Sequence, residues 1–280
     1  MHGPYCNLLR QELRQRSLAF AKARGLTHVV SYGEHPIVVY EASPEQRRHG
    51  NFMDRSYAAI LSHSEWKRRL DKVHTHSRRS LPPSDRGWKE LDSSMSSDAL
   101  LMNVFCHPKA NNPSLCALLG VSYRCSPEFG FKAQVPLRNG RTDRTEVDMK
   151  IGDLLVESKL TETDFQVQKE TIVNAYRDID SVFECRMLPR TSAGEYVSYQ
   201  LIRNVLAAYH LQLSFCVLLD QRRPDLTDAW YEVMRCVTDT DLRTRCKVLT
   251  WQELCIALPV DLREFLNLKY GIVAPGHTPH

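Results

Sequence analysis

Residues 145–162, TEVDMKIGDLLVESKLTE, alternate between apolar and polar side chains over two short runs. Val147, Met149 and Ile151 interleave with Glu146, Asp148 and Lys150, the period-two pattern of a half-buried strand. Leu154, Val156 and Ser158 then interleave with Leu155, Glu157 and Lys159. Gly152-Asp153 between them suits a two-residue hairpin, because glycine tolerates positive φ. That turn pairs Ile151 with Leu154, Met149 with Val156, Asp148 with Glu157 and Glu146 with Lys159. Opposed residues project to one side of a sheet, so the hairpin has an aliphatic face and a charged face. A slip of one residue would exchange the two, which makes the register well determined.

The remaining pattern predicts a mixed α/β chain. Residues 7–24 read as an amphipathic helix, 27–31 and 37–41 as short strands, and 55–74 as a helix. SRRSLPPSDRG, with two prolines, is a linker, and a boundary is expected there. It separates an N-terminal extension, 1–85, from a core, 86–280. In the core, SSDALLMNVFCHP is a Ser-capped helix stopped by Pro108, and FGFKAQVPL is a strand ahead of the hairpin. DFQVQKETIVNAYRDIDSVFE and SYQLIRNVLAAYH carry helical apolar spacing. LSFCVLLD is a continuous apolar run, as in a buried central strand. A helix in LTDAWYEVMRCV, a strand in KVLTW and two closing helices follow.

The charged face of the hairpin raises the first chemical question. Asp148 and Glu157 would stand roughly 5 Å apart, and opposed like charges destabilise a sheet. A shared proton or cation removes that cost. Two carboxylates with the Lys159 ammonium beside them suit Mg²⁺, which takes one or two protein carboxylates and keeps waters and phosphate oxygens. The structural alternative is a solvated polar face laced by a Glu146–Lys159 salt bridge.

The spacing resembles the PD-(D/E)XK, or restriction-endonuclease-like, nuclease superfamily: an Asp near the end of one strand, then Glu-x-Lys on the next. Asp148 and Glu157-Ser158-Lys159 match, and Val147 stands where the motif's Pro would be. The string with its trailing KLTETDFQ also resembles a bacterial group assigned to that superfamily. The resemblance implies an αβββαβ core with a mixed sheet. It also implies metal-dependent phosphodiester hydrolysis of the restriction, repair or defence type, with Mg²⁺ as cofactor and Mn²⁺ as a substitute. DNA is the expected substrate, with RNA left open.

On this reading Asp148, Glu157 and the Ser158 carbonyl are metal ligands. Lys159 orients or deprotonates the attacking water, or stabilises charge in the transition state. Glu146 is a partner of Lys159 or a ligand for a second ion. The superfamily's acid from the first core helix has three candidates, Glu90, Asp92 and Asp98, with Asn103 as a replacement. Gln200, Arg203 and Asn204 share one side of a helix, resembling the Gln-bearing helix of some exonuclease members, and solvent exposure is the alternative. Arg222 and Arg223 follow the buried strand, either touching phosphate at the rim or forming a surface turn. Competing readings are an inactive nuclease fold that binds nucleic acid, and an interaction module of a larger defence or repair complex that docks through residues 1–85; each is compatible with a homodimer or a partner subunit.

Composition adds modest constraints. The chain has 280 residues, is 42% hydrophobic and 25% charged, and carries a formal charge of +4. No run approaches the ~20 apolar residues of a membrane span. Positive charge is concentrated locally: from Trp66 to Lys89 eight Lys/Arg, among them Lys67, Arg68, Arg78 and Arg79, oppose two Asp. That surplus suits a phosphate backbone or, equally, a solvated helix face. Nine Cys scattered through apolar segments, without a C-x-x-C pair, suggest buried thiols in a reduced, cytoplasmic protein rather than zinc. No phosphate-binding G-x-x-x-x-G-K-[ST] loop and no Ser–His or Cys–His pattern is present.

Overall fold

The computed structural model describes residues 4–31, 36–43, 48–73, 88–123 and 125–276. Two compact units are present, one formed by 1–5 and 125–250, the other by 6–124 and 251–280. The boundary expected near residue 85 falls in 74–87, outside the described residues. The contact division comes instead at 124/125 and 250/251.

The first unit is built on a five-stranded mixed sheet. Its strands are β1 (Pro127–Lys132), β2 (Glu146–Ile151), β3 (Leu154–Ser158), β4 (Ser214–Leu219) and β5 (Cys246–Thr250), in the spatial order β5-β4-β3-β2-β1. β1, β2 and β3 are antiparallel neighbours, and β4 runs parallel to both β3 and β5. The β2–β3 register is Ile151 with Leu154, Lys150 with Leu155 and Met149 with Val156, as the alternation predicts. Gly152 at the turn has φ +55°, the conformation that selects glycine. The helix Tyr199–Leu211 crosses between β3 and β4, and its Leu201 and Val205 share one core with Leu155, Phe215, Val217 and Leu219.

Burial differs from expectation in one decisive respect. β2 alternates between half-buried and buried, but β3 is buried at every position. β4, paired on both edges, is buried from Phe215 to Leu219, as its continuous apolar run requires.

Two other segments depart from the sequence reading. FGFKAQVPL is not one strand: Gln134 adopts φ +53°, and the chain restarts as Val135–Pro136, paired with Thr142–Asp143. The long helix expected in 164–184 is reduced to two single turns, Glu170–Val173 and Ile179–Val182. The backbone between them also bonds to the hairpin, with Arg138 N donating to Ala175 O (2.8 Å) and Arg177 N to Pro136 O (3.0 Å). Val173, Tyr176, Ile179, Val182 and Phe183 are buried all the same. Apolar spacing was satisfied without the helix.

The second unit is largely helical. Pro4–Arg24, Asp54–Ser62, Ser64–Arg69, Ser97–Phe105, Pro113–Leu119, Trp251–Cys255 and Val260–Tyr270 are its helices, with a small antiparallel pair, His28–Val30 and Val38–Tyr40. The single helix expected over 55–74 is broken at His63, which is extended (φ −110°, ψ 114°) and stacks on Trp66 at 4.2 Å. Among the described residues no helix is long and apolar enough to cross a membrane.

Candidate active site

The charged face of the β2–β3 hairpin lies beneath the Tyr199–Leu211 helix. Glu157 has 1% of its surface exposed, Ser158 none and Lys159 4%. This overturns the solvated polar face. A helix covers it, and buried charges persist only when paired.

The pairing is specific. Lys159 Nζ donates to Glu157 Oε1 at 2.6 Å, and Asn204 Nδ2 donates to Glu157 Oε2 at 2.7 Å. Arg203 holds Asn204 through Nε and a terminal nitrogen on Asn204 Oδ1 (3.1 and 2.9 Å), and reaches the Glu146 carbonyl at 3.0 Å. On the strand side, Ser158 N donates to Asp148 Oδ2 at 2.8 Å. That bond ties the Asp148 carboxylate to the main chain next to Glu157, so the two acids converge from adjacent strands. Glu146, on the same strand as Asp148, is half-buried.

Lys159 sits at the end of β3, where its N–H continues the ladder onto Leu218 O (2.8 Å). Its ammonium also lies over the Phe165 ring at 5.7 Å. Burial alone would push its pKa down; Glu157, Glu162 and Asp148 outweigh that and raise it above the ordinary lysine value. Glu162 was not foreseen; its Oε2 accepts from Leu160 N at 2.7 Å.

The donor set fits a hard cation to this extent: two carboxylates and a neighbouring main-chain carbonyl. Each Glu157 oxygen accepts one bond in the structure and keeps a second lone pair. Among the described residues no group of three or more His, Cys, Asp or Glu is placed to hold a metal, so waters and substrate oxygens would have to complete the shell.

Residues 14–271 match the family model described as restriction endonuclease associating with ARP. The chain belongs to this restriction-endonuclease-like family. Comparison with curated proteins and with solved structures gives no match.

Within this restriction-endonuclease-like chain the other expected positions fare differently. Arg203 is buried (4% exposed) and held within the site, not offered to solvent, while Gln200 is half-buried in the first turn of the same helix. Arg223 is fully buried and pairs with Asp225 at 2.8 Å. Its guanidinium donates to the carbonyls of Glu162 (2.6 Å) and Thr163 (3.2 Å). The expected phosphate contact is therefore corrected: Arg223 fastens the loop that follows Lys159. Arg222 forms a two-point ion pair with Asp220 (2.8 and 2.6 Å).

The candidates for a first-helix acid lie in the other unit and have partners there. Asp98 accepts from Arg69 and Lys72, both at 2.9 Å. Burial opposes its charge, but those two cations outweigh it and hold its carboxyl below the ordinary range. Glu90 pairs with Lys72 at 3.0 Å, and Asp92 accepts from His49 and from Lys89 N. Asn103 bonds Met53 N and the carbonyls of Asn51 and Ala99. Part of the positive stretch is thus neutralised internally. Lys67 and Arg68 are exposed, while Arg78 and Arg79 lie outside the described residues.

Asn204 is the residue that sequence reasoning underrated. The sequence places it only on the helix side shared with Gln200 and Arg203, yet it holds the second oxygen of Glu157. Its signal was a polar residue inside the helix's apolar stripe.

Proposed function

We propose that the chain is a metal-dependent nuclease that hydrolyses phosphodiester bonds, with DNA as substrate, Mg²⁺ as cofactor and Mn²⁺ as a working substitute. The observation that supports this reading is the buried Lys159–Glu157 pair, with the Asp148 carboxylate bonded to the intervening Ser158 N. Asp148, Glu157 and the Ser158 carbonyl are the groups that would hold the ion. A bound Mg²⁺ supplies Lewis-acid stabilisation of phosphate charge and a more acidic water.

The chain's own residues divide the remaining work. Lys159, bonded to Glu157 and raised in pKa by its carboxylate neighbours, is placed as a positive donor to developing phosphate charge. Asn204 and Arg203 fix the Glu157 carboxylate, as supporting groups behind a metal ligand commonly do. Arg223 secures the turn that carries Lys159 away from the strand.

One observation favours a second reading, in which the fold binds nucleic acid without cleaving it. Both Glu157 oxygens already have protein partners, and a third acid is not brought to them among the described residues. The two readings separate in one experiment. Labelled duplex, single-stranded and branched DNA, and RNA, are incubated with the protein in Mg²⁺, Mn²⁺ or EDTA. The nuclease reading expects cleavage with either metal and none in EDTA, lost in Glu157→Gln. Gln is preferred to Ala because Ala would leave Lys159 buried without its partner. Cation-independent binding with no cleavage of any substrate would select the second reading.

A further inference from the structure

The first unit also carries two adjoining concavities that share one residue, Arg138. The smaller, about 450 Å³, also presents Arg186 and Arg190. The larger, about 680 Å³, adds Lys132, Arg141 and Arg177 over an apolar floor that includes Phe131 and Leu137. All six cations are exposed.

Three of them have carboxylate partners. Arg138 pairs with Asp180, Arg177 makes two bonds of 2.9 Å to Asp178, and Arg190 pairs with Glu170 at 2.8 Å. Lys132, Arg141 and Arg186 have no such partner among the described residues. Three of the six cations therefore lack a paired carboxylate, although Lys132 stands opposite Glu146 in the β1–β2 register.

The frame beneath these side chains is built. The Val135–Pro136 and Thr142–Asp143 hairpin is tied to the 173–177 segment by Arg138 N to Ala175 O and Arg177 N to Pro136 O. Asp143 in that hairpin accepts from Tyr176 Oη at 2.5 Å, and Tyr176 in turn meets Tyr199 Oη at 2.8 Å. Arg190 lies over the Tyr196 ring at 4.0 Å and donates to its hydroxyl at 2.6 Å. Cations on a braced frame lose less entropy on binding than cations on loose chains.

We infer that these concavities form one groove for a nucleic-acid strand, its backbone phosphates bridged by Lys132, Arg138, Arg141 and Arg186. The choice of polyanion rests on the nuclease reading above; six cations distributed over two concavities that share Arg138 suit a ligand with repeated anions. Five of the six cations are Arg, whose planar fork binds phosphate oxygens in pairs. None of them was among the contacts expected from sequence.

The test measures binding in EDTA, so it does not depend on cleavage. Full-length protein is titrated with labelled single-stranded and duplex DNA across a salt series, as is Lys132→Gln/Arg141→Gln/Arg186→Gln. A control triple, Lys22→Gln/Lys109→Gln/Arg243→Gln, carries the same net charge. The groove variant is expected to bind at least tenfold more weakly at 0.15 M salt. The slope of log affinity against log salt should shrink by about two to three, at roughly 0.7–0.9 per lost phosphate contact. Unchanged affinity and slope in the groove variant would overturn the inference. So would equal losses in both triples, which would reduce the effect to net charge, or binding of poly-glutamate in place of DNA. Failure of the nuclease reading would show separately, as absence of Glu157-dependent cleavage.

Discussion

Among the described residues each unit has one buried lysine, Lys159 and Lys269, and the two are driven in opposite directions. Lys159 in the first unit has a carboxylate at 2.6 Å and two more acids nearby, and its pKa is raised despite burial. Lys269 in the second unit meets only neutral groups: the Asn51 carbonyl at 2.7 Å, the Asn51 side-chain oxygen, and the rings of Tyr40 (4.7 Å) and Tyr270 (5.1 Å). Burial pushes its pKa well below the ordinary value. The comparison teaches that burial is not what marks a lysine as chemical. Both are buried and hydrogen-bonded; what differs is the company of acids around Lys159, which raises its pKa.

Substitutions at the two sites separate these roles. The largest effect is expected on cleavage: Glu157→Gln and Lys159→Met each lower the rate by about a thousandfold or more, the scale of losing a fixed transition-state donor, whereas Lys269→Met leaves it within a few-fold. Equal losses at both lysines would erase the distinction. Next in size is stability. Lys159→Met strands the Glu157 carboxylate and should cost about 3–5 kcal/mol in denaturant unfolding, with much of that recovered in Lys159→Met/Glu157→Gln. Additive losses in the double variant would show that the pair is not coupled.

The pH dependence is a finer discriminator. Because Lys269 has a depressed pKa, the folded protein binds fewer protons than the unfolded chain between that folded value and the ordinary lysine value of roughly 10.4. Stability therefore rises with pH through that window, and Lys269→Met should flatten the rise. Lys159, with its pKa raised, contributes in the other sense: its stabilisation is complete below the ordinary value and is lost as pH climbs through the folded one. Unfolding curves in EDTA over alkaline pH measure both slopes, and the same sign at both residues would contradict the assignment. The smallest expected effect is at Asn204. Asn204→Ala should reduce cleavage about ten- to a hundredfold by freeing one Glu157 oxygen, with binding of DNA in EDTA unchanged.

The hairpin register was legible because two local signals agreed, the Gly152-Asp153 turn and the strict alternation on either side of it. What covered its charged face was not legible. Asn204 reaches Glu157 across 47 residues of sequence, and no local pattern encodes that approach. The same reason explains the lost helix in 164–184: its apolar spacing was real, but its backbone also bonds to the Val135–Pro136 hairpin. Arg223 looked like a rim cation because it follows a buried strand; the carbonyls of the 160–163 loop claim it instead. In the second unit, Arg69 and Lys72 belong to an apparent basic patch by sequence and to Asp98 in space.

Direct measurement of divalent-ion binding tests the central claim without relying on a substrate. Mn²⁺ titrated into the protein can be followed through the paramagnetic resonance of the free ion. The account expects saturable uptake by the native chain, displaced by Mg²⁺ and lost in Asp148→Asn/Glu157→Gln. Uptake by that double variant equal to the native protein's would contradict it.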